Sequence, residues 1–167
     1  MRKEIYFAGG CFWGLEKAFK MVNGVKETTV GFSNSNTPFP SYRLVCSGTT
    51  DSRETVKIIY EEEEVSLEKL LDIFFLCIDP TQKNQQGHDI GTQYQTGVYY
   101  TDEADLPLIT KRFEEEAGNY PLFYVELKKL DNFYDAEDYH QDYLDKNPQG
   151  YCHIPLNIYK KIREMQK

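Results

Sequence analysis

Ala8-Gly9-Gly10-Cys11-Phe12-Trp13-Gly14 is a junction between two kinds of periodicity. Before it, Lys3 to Phe7 alternates as a half-buried strand does. After it, Phe12, Leu15, Ala18, Phe19 and Val22 fall on one face of a helix. The paired glycines allow a sharp turn and leave the backbone open there. A cysteine on the first turn of the helix faces unpaired N–H groups and the positive end of the helix dipole. Both favour thiolate, the nucleophilic form, over thiol. The chain's only tryptophan, Trp13, follows two residues later. Taken locally, a lone cysteine at such a junction is more often a small buried hydrophobe, so the nucleophile reading depends on the rest of the chain.

Outward from this junction, Asn23-Gly24 stops the helix and Lys26 to Phe32 reads as a second strand. Residues 33–52, rich in Ser, Asn, Thr and Pro, read as a long loop. Glu54 to Tyr60 is a strand with Val56, Ile58 and Tyr60 on one face, and Glu61 to Glu64 a solvated turn. Ser66 caps a helix carrying Leu67, Leu70, Leu71, Phe74 and Phe75, which ends at Asp79-Pro80-Thr81. Residues 82–93 form a polar loop, and Gln93 to Thr101 reads as a strand. Asp102 to Asn119 reads as a helix, with Pro107 near its start, and Phe123 to Leu130 as a further strand. A shorter helix spans Ala136 to Leu144 and stops before Asn147-Pro148. Several strands follow one another without an intervening helix. That order predicts an α+β fold, a mixed sheet with helices mainly on one face, rather than a doubly wound parallel sheet. No repeat, linker or low-complexity tract divides the chain, so residues 1–167 are expected to form a single domain.

The 167 residues can bury a proper core. A net charge of −8 disfavours nucleic acid and anionic membranes as partners. No apolar run approaches the roughly 20 residues of a membrane helix, and the start, Met-Arg-Lys-Glu-Ile-Tyr, does not read as a signal peptide. The expected setting is the cytoplasm. Cysteines at 11, 46, 77 and 152 contain no Cys-x-x-Cys pair, which argues against a disulfide framework and a cysteine zinc site. Three scattered histidines show no metal-ligand spacing.

Gly-Cys-Phe-Trp-Gly resembles the signature of the A-type peptide methionine sulfoxide reductases, and the resemblance extends to about residue 155. It implies a two-layer sandwich with a ferredoxin-like core and a reaction in which a thiol reduces methionine S-sulfoxide, free or in oxidised proteins. Cys11 is then the nucleophile, with Phe12 and Trp13 as the apolar wall for the S-methyl group. Glu54 matches the family's glutamate after Val45-Cys46-Ser47-Gly48-Thr49-Thr50; partial burial beside aromatics would raise its pKa to suit a proton donor. Tyr42, in Pro40-Ser41-Tyr42-Arg43, and Tyr94, in Gly91-Thr92-Gln93-Tyr94, match two tyrosines whose hydroxyls can donate to the sulfoxide oxygen. Asp89, in Gln86-Gly87-His88-Asp89-Ile90-Gly91, is read as a binder of substrate main chain or an organiser of its loop. Cys152, in the run from Tyr139 to Cys152, is the resolving thiol, carried by a C-terminal segment from about residue 146. The resemblance implies no bound cofactor. It implies instead an external reductant for a Cys11–Cys152 disulfide, thioredoxin in the cell or dithiothreitol in vitro, and a monomer. Cys46 is expected to be packed and Cys77 to lie in the core.

The chain departs from the family pattern at several points. Asp51-Ser52-Arg53 replaces the residues before Glu54. Ile78 stands where a His usually precedes Asp-Pro-Thr, Gln95 stands for an Arg, and Gly31-Phe32-Ser33-Asn34-Ser35-Asn36 replaces a glycine-rich stretch. Two other functions compete. A cysteine hydrolase would need His88, His140 or His153 to activate Cys11. A module could also bind oxidised peptides without turning them over.

Overall fold

The computed structural model describes residues 1–166; Lys167, the last residue of the expected domain, lies outside the described residues. Eight strands and six α-helices follow in the order β1 (Arg2–Ala8), α1 (Phe12–Lys20), β2 (Val25–Ser33), α2 (Tyr42–Cys46), β3 (Arg53–Glu61), α3 (Leu67–Cys77), β4 (Gln85–Gln86), β5 (Asp89–Ile90), β6 (Gly97–Tyr100), α4 (Leu106–Ala117), β7 (Glu126–Lys129), β8 (Phe133–Asp135), α5 (Tyr143–Lys146) and α6 (Leu156–Glu164). Six strands form one sheet in the order β7-β6-β1-β3-β2-β8, and β4 and β5 form a separate hairpin. The inner strands β6-β1-β3-β2 are antiparallel throughout, with α1 between β1 and β2 and α3 between β3 and β6. This is the ferredoxin-like pattern. The added edge strand β7 runs parallel to β6, which makes the sheet mixed.

Alternation along the strands decides which face takes the helices. Ile5 and Phe7 of β1, Val30 and Phe32 of β2, and Val56, Ile58 and Tyr60 of β3 join Phe12, Leu15, Phe19, Leu70, Leu71 and Phe74 in one buried core. Tyr6, Ala8 and Tyr99 face the other way, under Leu130 and Phe133. The helices therefore lie on one face, because only there do strand and helix periodicities both supply apolar side chains. Phe7 stacks between Phe19 of α1 and Phe74 of α3, with ring centroids 4.9 and 5.0 Å away. Ser66 caps α3 as expected, accepting from the Lys69 amide at 3.1 Å.

Other expectations need correction. The stretch 33–52 contains the short helix α2, whose Ser41 hydroxyl caps it by accepting from the Leu44 amide. The helix read from Asp102 begins only at Leu106, because Asp102 instead caps a separate turn over Glu103–Asp105. The strand read from Gln93 begins at Gly97, since Thr92–Tyr94 coils into a single helical turn. The helix read over Ala136 to Leu144 is a turn at Asp138–His140 followed by α5; Asp142, with φ +54°, breaks it. Strand β8 and helix α6 went unread. A signal for α6 was present, with Pro155 ahead of Ile158, Tyr159 and Ile162 at helical spacing.

The segment around Asp142 is clamped to α1 by Glu16. Its carboxylate accepts from the Thr28 hydroxyl at 2.9 Å and from the Asp142 amide at 2.8 Å. Lys20 pairs with Asp142 and Asp145 alongside. Burial, only partly countered by the bonds from Thr28 and Asp142, pushes the Glu16 pKa from 4.5 up to about 7. Between those values the folded chain holds a proton there that the unfolded chain has lost, so this contribution to stability falls as pH rises through the window. Glu16→Gln removes that term. Urea midpoints at pH 5 and pH 8 should therefore separate less in Glu16→Gln than in the parent protein; an equal separation would show that Glu16 does not titrate in this window.

Candidate active site

Gly10 turns the chain from β1 into α1 with φ +82°, and a Cβ there would lie 2.8 Å from Cβ of Gln86. Cys11 occupies the cap position of α1, so the first free amide of the helix belongs to Phe12. That amide donates to Oε1 of Glu54 at 3.2 Å. Glu54 sits at the start of β3 on the helix-bearing face and is 1% exposed. Burial, reinforced by the charge of Asp89 and opposed by the Phe12 amide, pushes its pKa up to about 8. Among the described residues its Oε2 has no hydrogen-bond partner. A buried carboxyl of this kind holds its proton at neutral pH and has one oxygen free to deliver it.

Cys11 is 6% exposed, and its thiol pKa is raised rather than lowered. Burial is the main cause and the charge of Glu54 the second; the Trp13 amide, bonded to the sulfur, opposes both. The expectation that the helix terminus would leave a resting thiolate is thus overturned. Desolvation outweighs the dipole at a site this dry. Protonating Glu54 removes the repulsion that its charge exerts on the thiolate.

Tyr42 opens α2, its amide held by the Glu137 carboxylate at 3.2 and 3.3 Å. Tyr94 ends the turn after the β4–β5 hairpin. Burial, then the charge of Glu54, raises both phenols, which keeps them protonated as donors. Trp13 stacks on Tyr143 with centroids 3.8 Å apart and donates its indole N–H to Nδ1 of His140 at 2.9 Å. His140 is 1% exposed, and burial lowers its basicity. Accepting at Nδ1, it is neutral with its proton on Nε2, and it fixes the indole plane. The sequence reading named this residue only as a base for the competing hydrolase and not as the partner of Trp13. Phe12 is fully buried against Phe32 and His140, so Trp13, only partly buried, is the member of that pair that presents ring surface.

Asp89 pairs with Gln86 across the β4–β5 hairpin and accepts from the Tyr151 hydroxyl at 3.0 Å. That bond ties the hairpin to the segment carrying Cys152. The next residue, His153, bonds the Gly9 carbonyl through Nε2 at 2.9 Å. The Cys152 sulfur lies 2.8 Å from the Tyr159 hydroxyl, and a Cβ on Gly14 would come within 3.0 Å of it. Cys152 therefore rests against the first turn of α1, one turn along from Cys11. Both thiols are free. Cys77 is buried, as expected. Cys46 is not packed but exposed, because α2 is short and turns Val45 inward in its place. Among the described residues no histidine nitrogen bonds the Cys11 sulfur. His140 serves Trp13, His153 serves Gly9, and His88 is exposed.

The departures mostly serve the scaffold. Arg53 binds Glu126 of β7 at 3.0 Å and the Asp51 carbonyl at 2.9 Å, and Tyr99 donates to the same Glu126 oxygen at 2.7 Å. This brace fixes the start of β3 from the opposite face of the sheet. Gln95 donates to the carbonyls of Tyr124 and Thr96 and accepts from the Asn84 amide, closing the loop around the hairpin.

A family model described as peptide methionine sulfoxide reductase matches residues 3–167. The Mycoplasma genitalium peptide methionine sulfoxide reductase MsrA is 56% identical over 93% of this chain and 99% of its own length. The crystal structure of Mxr1 from Saccharomyces cerevisiae in reduced form matches with a TM-score of 0.82 at 39% identity, over 90% of this chain and 88% of that one. Mxr1 in complex with Trx2 matches with a TM-score of 0.57 at 25% identity, over 85% and 84%. With its motif residues gathered around one buried carboxyl, and with a family match spanning almost its whole length, the chain belongs to the peptide methionine sulfoxide reductase family.

Proposed function

We propose that the chain reduces methionine S-sulfoxide to methionine through a Cys11 sulfenic acid and a Cys11–Cys152 disulfide. The observation that carries this reading is the Glu54 carboxyl, buried, protonated at neutral pH and bonded to the amide next to Cys11. The Cys11 sulfur bonds to the sulfoxide sulfur while Glu54 gives its proton to the oxygen. The oxygen ends on Cys11 as sulfenic acid, the thioether leaves, and the proton of the Cys11 thiol returns the carboxyl to its neutral form. Tyr42 and Tyr94 donate to the oxygen as charge develops on it, and Trp13 backs the S-methyl group. Cys152 then attacks the sulfenic sulfur; the S–S bond forms, the S–O bond breaks, and the hydroxyl leaves as water with the Cys152 proton.

Asp89, bonded to Tyr151, holds the substrate main chain or its own loop. The choice of the S epimer rests on the family resemblance. Thioredoxin is the proposed reductant and partner, supported by the related yeast protein in its complex with Trx2. We read the chain as one domain over residues 1–167, monomeric and cytoplasmic, with free or protein-bound methionine sulfoxide as substrate. Among the described residues no helix is long and apolar enough to cross a membrane.

Dithiothreitol-driven turnover of separate S and R epimers tests the reading, with Cys11→Ser as control. Reduction should be confined to the S epimer and absent in the control. A folded, reduced protein that turned over neither epimer would refute it. In Cys152→Ser, thioredoxin-driven turnover should vanish while one equivalent of methionine per chain still forms in the first reduction. Glu54→Gln should slow that first reduction by about 100-fold, the usual scale for losing a positioned acid. The parent rate should decline above about pH 8, as Glu54 loses its proton. That decline should be missing in Glu54→Gln; a decline that persisted there would assign it to another group.

A further inference from the structure

Tyr159 lies on α6, outside the motifs quoted from the sequence, and is 2% exposed. Its helix is fixed at its far end. Lys69 of α3 donates to the Met165 carbonyl at 2.9 Å, and the Gln166 side chain accepts from the Asn23 amide at 2.8 Å. On that frame the Tyr159 hydroxyl meets two partners. It donates to the Gly14 carbonyl of α1 at 3.0 Å, and its oxygen lies 2.8 Å from the Cys152 sulfur. A phenol has one proton to give. With that proton on the Gly14 carbonyl, the Cys152 thiol has its one proton to place on the Tyr159 oxygen or on the Ile154 carbonyl. Its sulfur is also 3.5 Å from the Ile154 carbonyl.

Gly14 makes this arrangement possible. A Cβ there would stand 3.0 Å from the Cys152 sulfur and 3.3 Å from the Tyr159 oxygen. The helix surface is bare where the thiol and the phenol meet it. Gly14 is three residues after Cys11, so the docked thiol waits on the same face of α1 as the sulfur it is to attack. The raised pKa of the Tyr159 phenol, caused first by burial and then by the bond to Cys152, keeps the hydroxyl protonated through this cycle.

We propose that Tyr159 is the positioning residue for Cys152, docking the resolving thiol on the bare turn of α1 at Gly14 so that it reaches the Cys11 sulfenic acid without a search. This deepens the proposed function and rests on it for the sulfenic acid. When Cys152 gives up its proton, the phenol turns its own proton from the Gly14 carbonyl to the thiolate, and the thiolate leaves for Cys11. The S–S bond forms as the S–O bond of the sulfenic acid breaks, and the hydroxyl departs as water with the Cys152 proton. Tyr159 touches neither substrate nor Cys11 in these steps. Its effect is confined to the second half of the cycle.

The test is Tyr159→Phe in the full chain, which keeps the ring on α6 and removes only the hydroxyl. Two readouts separate the docking from the reaction. In the reduced protein, iodoacetamide labelling of Cys152, followed by mass spectrometry, should accelerate severalfold once the hydrogen bond is gone. In a single turnover with methionine S-sulfoxide, methionine release should keep its parent rate. Disulfide formation, followed by loss of free thiols, should slow by about tenfold, the factor given by one hydrogen bond of ordinary strength. Unchanged labelling together with an unchanged disulfide rate would overturn the assignment. So would a loss of methionine release, which would place Tyr159 in the first half-reaction or in the fold. If the parent protein released no methionine while Cys152 labelling still accelerated in Tyr159→Phe, the sulfoxide reading would fall and the docking of Cys152 would stand.

Discussion

The hydrogen bond from the Phe12 amide to the Glu54 carboxyl joins α1 to the sheet at the point where the proposed chemistry sits. Phe12 begins α1 and Glu54 begins β3, so the bond sets where the helix starts relative to the sheet. A free helix-terminal amide and an unpaired buried carboxyl would each cost stability by itself. Together each reduces the cost of the other. The same burial that makes the bond necessary also keeps the carboxyl protonated near neutrality. Structural and chemical roles thus have one physical source. Much of the surrounding architecture holds that pair in place: the Phe7 stack beneath α1, the Arg53–Glu126–Tyr99 brace under β3, and Glu16 fastening the Asp142 segment to the helix.

Around this centre the chain supplies its tools from distant parts of the sequence. The β4–β5 hairpin brings Asp89, the turn after it brings Tyr94, and α2 brings Tyr42. The C-terminal segment arrives last and is pinned at three points by Tyr151, Cys152 and His153. These anchors reach the hairpin, α6 and the Gly9 carbonyl respectively. Three separate attachments of modest strength suit a segment that, in the proposed cycle, holds a thiol in place and later releases it.

How far the sequence could be read differed between elements, for physical reasons. The alternation in β1 and β3 and the helical spacing in α1 and α3 were plain because the core needs them, and the ferredoxin-like order followed. Cys11, Glu54, Tyr42, Tyr94 and Cys152 were singled out by their motifs as candidates, and the structure sets the charge of Glu54 against Cys11, Tyr42 and Tyr94. What escaped were features set by tertiary context. Helix α2 is hidden in a Ser- and Pro-rich stretch because it is capped by Ser41 and buries only Val45, and this also turns Cys46 outward. The break at Asp142 is imposed by Glu16 accepting its amide. The Cys11 pKa was misjudged in direction because sequence shows a helix terminus but not the absence of water around it. His140 and Tyr159 bond Trp13 and the Gly14 carbonyl, each more than a hundred positions away, which no local pattern records.

The raised thiol pKa of Cys11 has a consequence for selectivity. A permanently exposed thiolate would react with any passing electrophile or peroxide, and its sulfur would advance up the oxidation ladder beyond rescue. Here burial, and after it the charge of Glu54, pushes the Cys11 thiol pKa up, which disfavours a resting thiolate. In the proposed cycle the sulfoxide oxygen accepts the Glu54 proton as the Cys11 sulfur bonds, and the thiol proton then passes to the carboxylate. Under that proposal, a ligand that takes up the Glu54 proton favours reaction at a thiol that burial otherwise disfavours as thiolate.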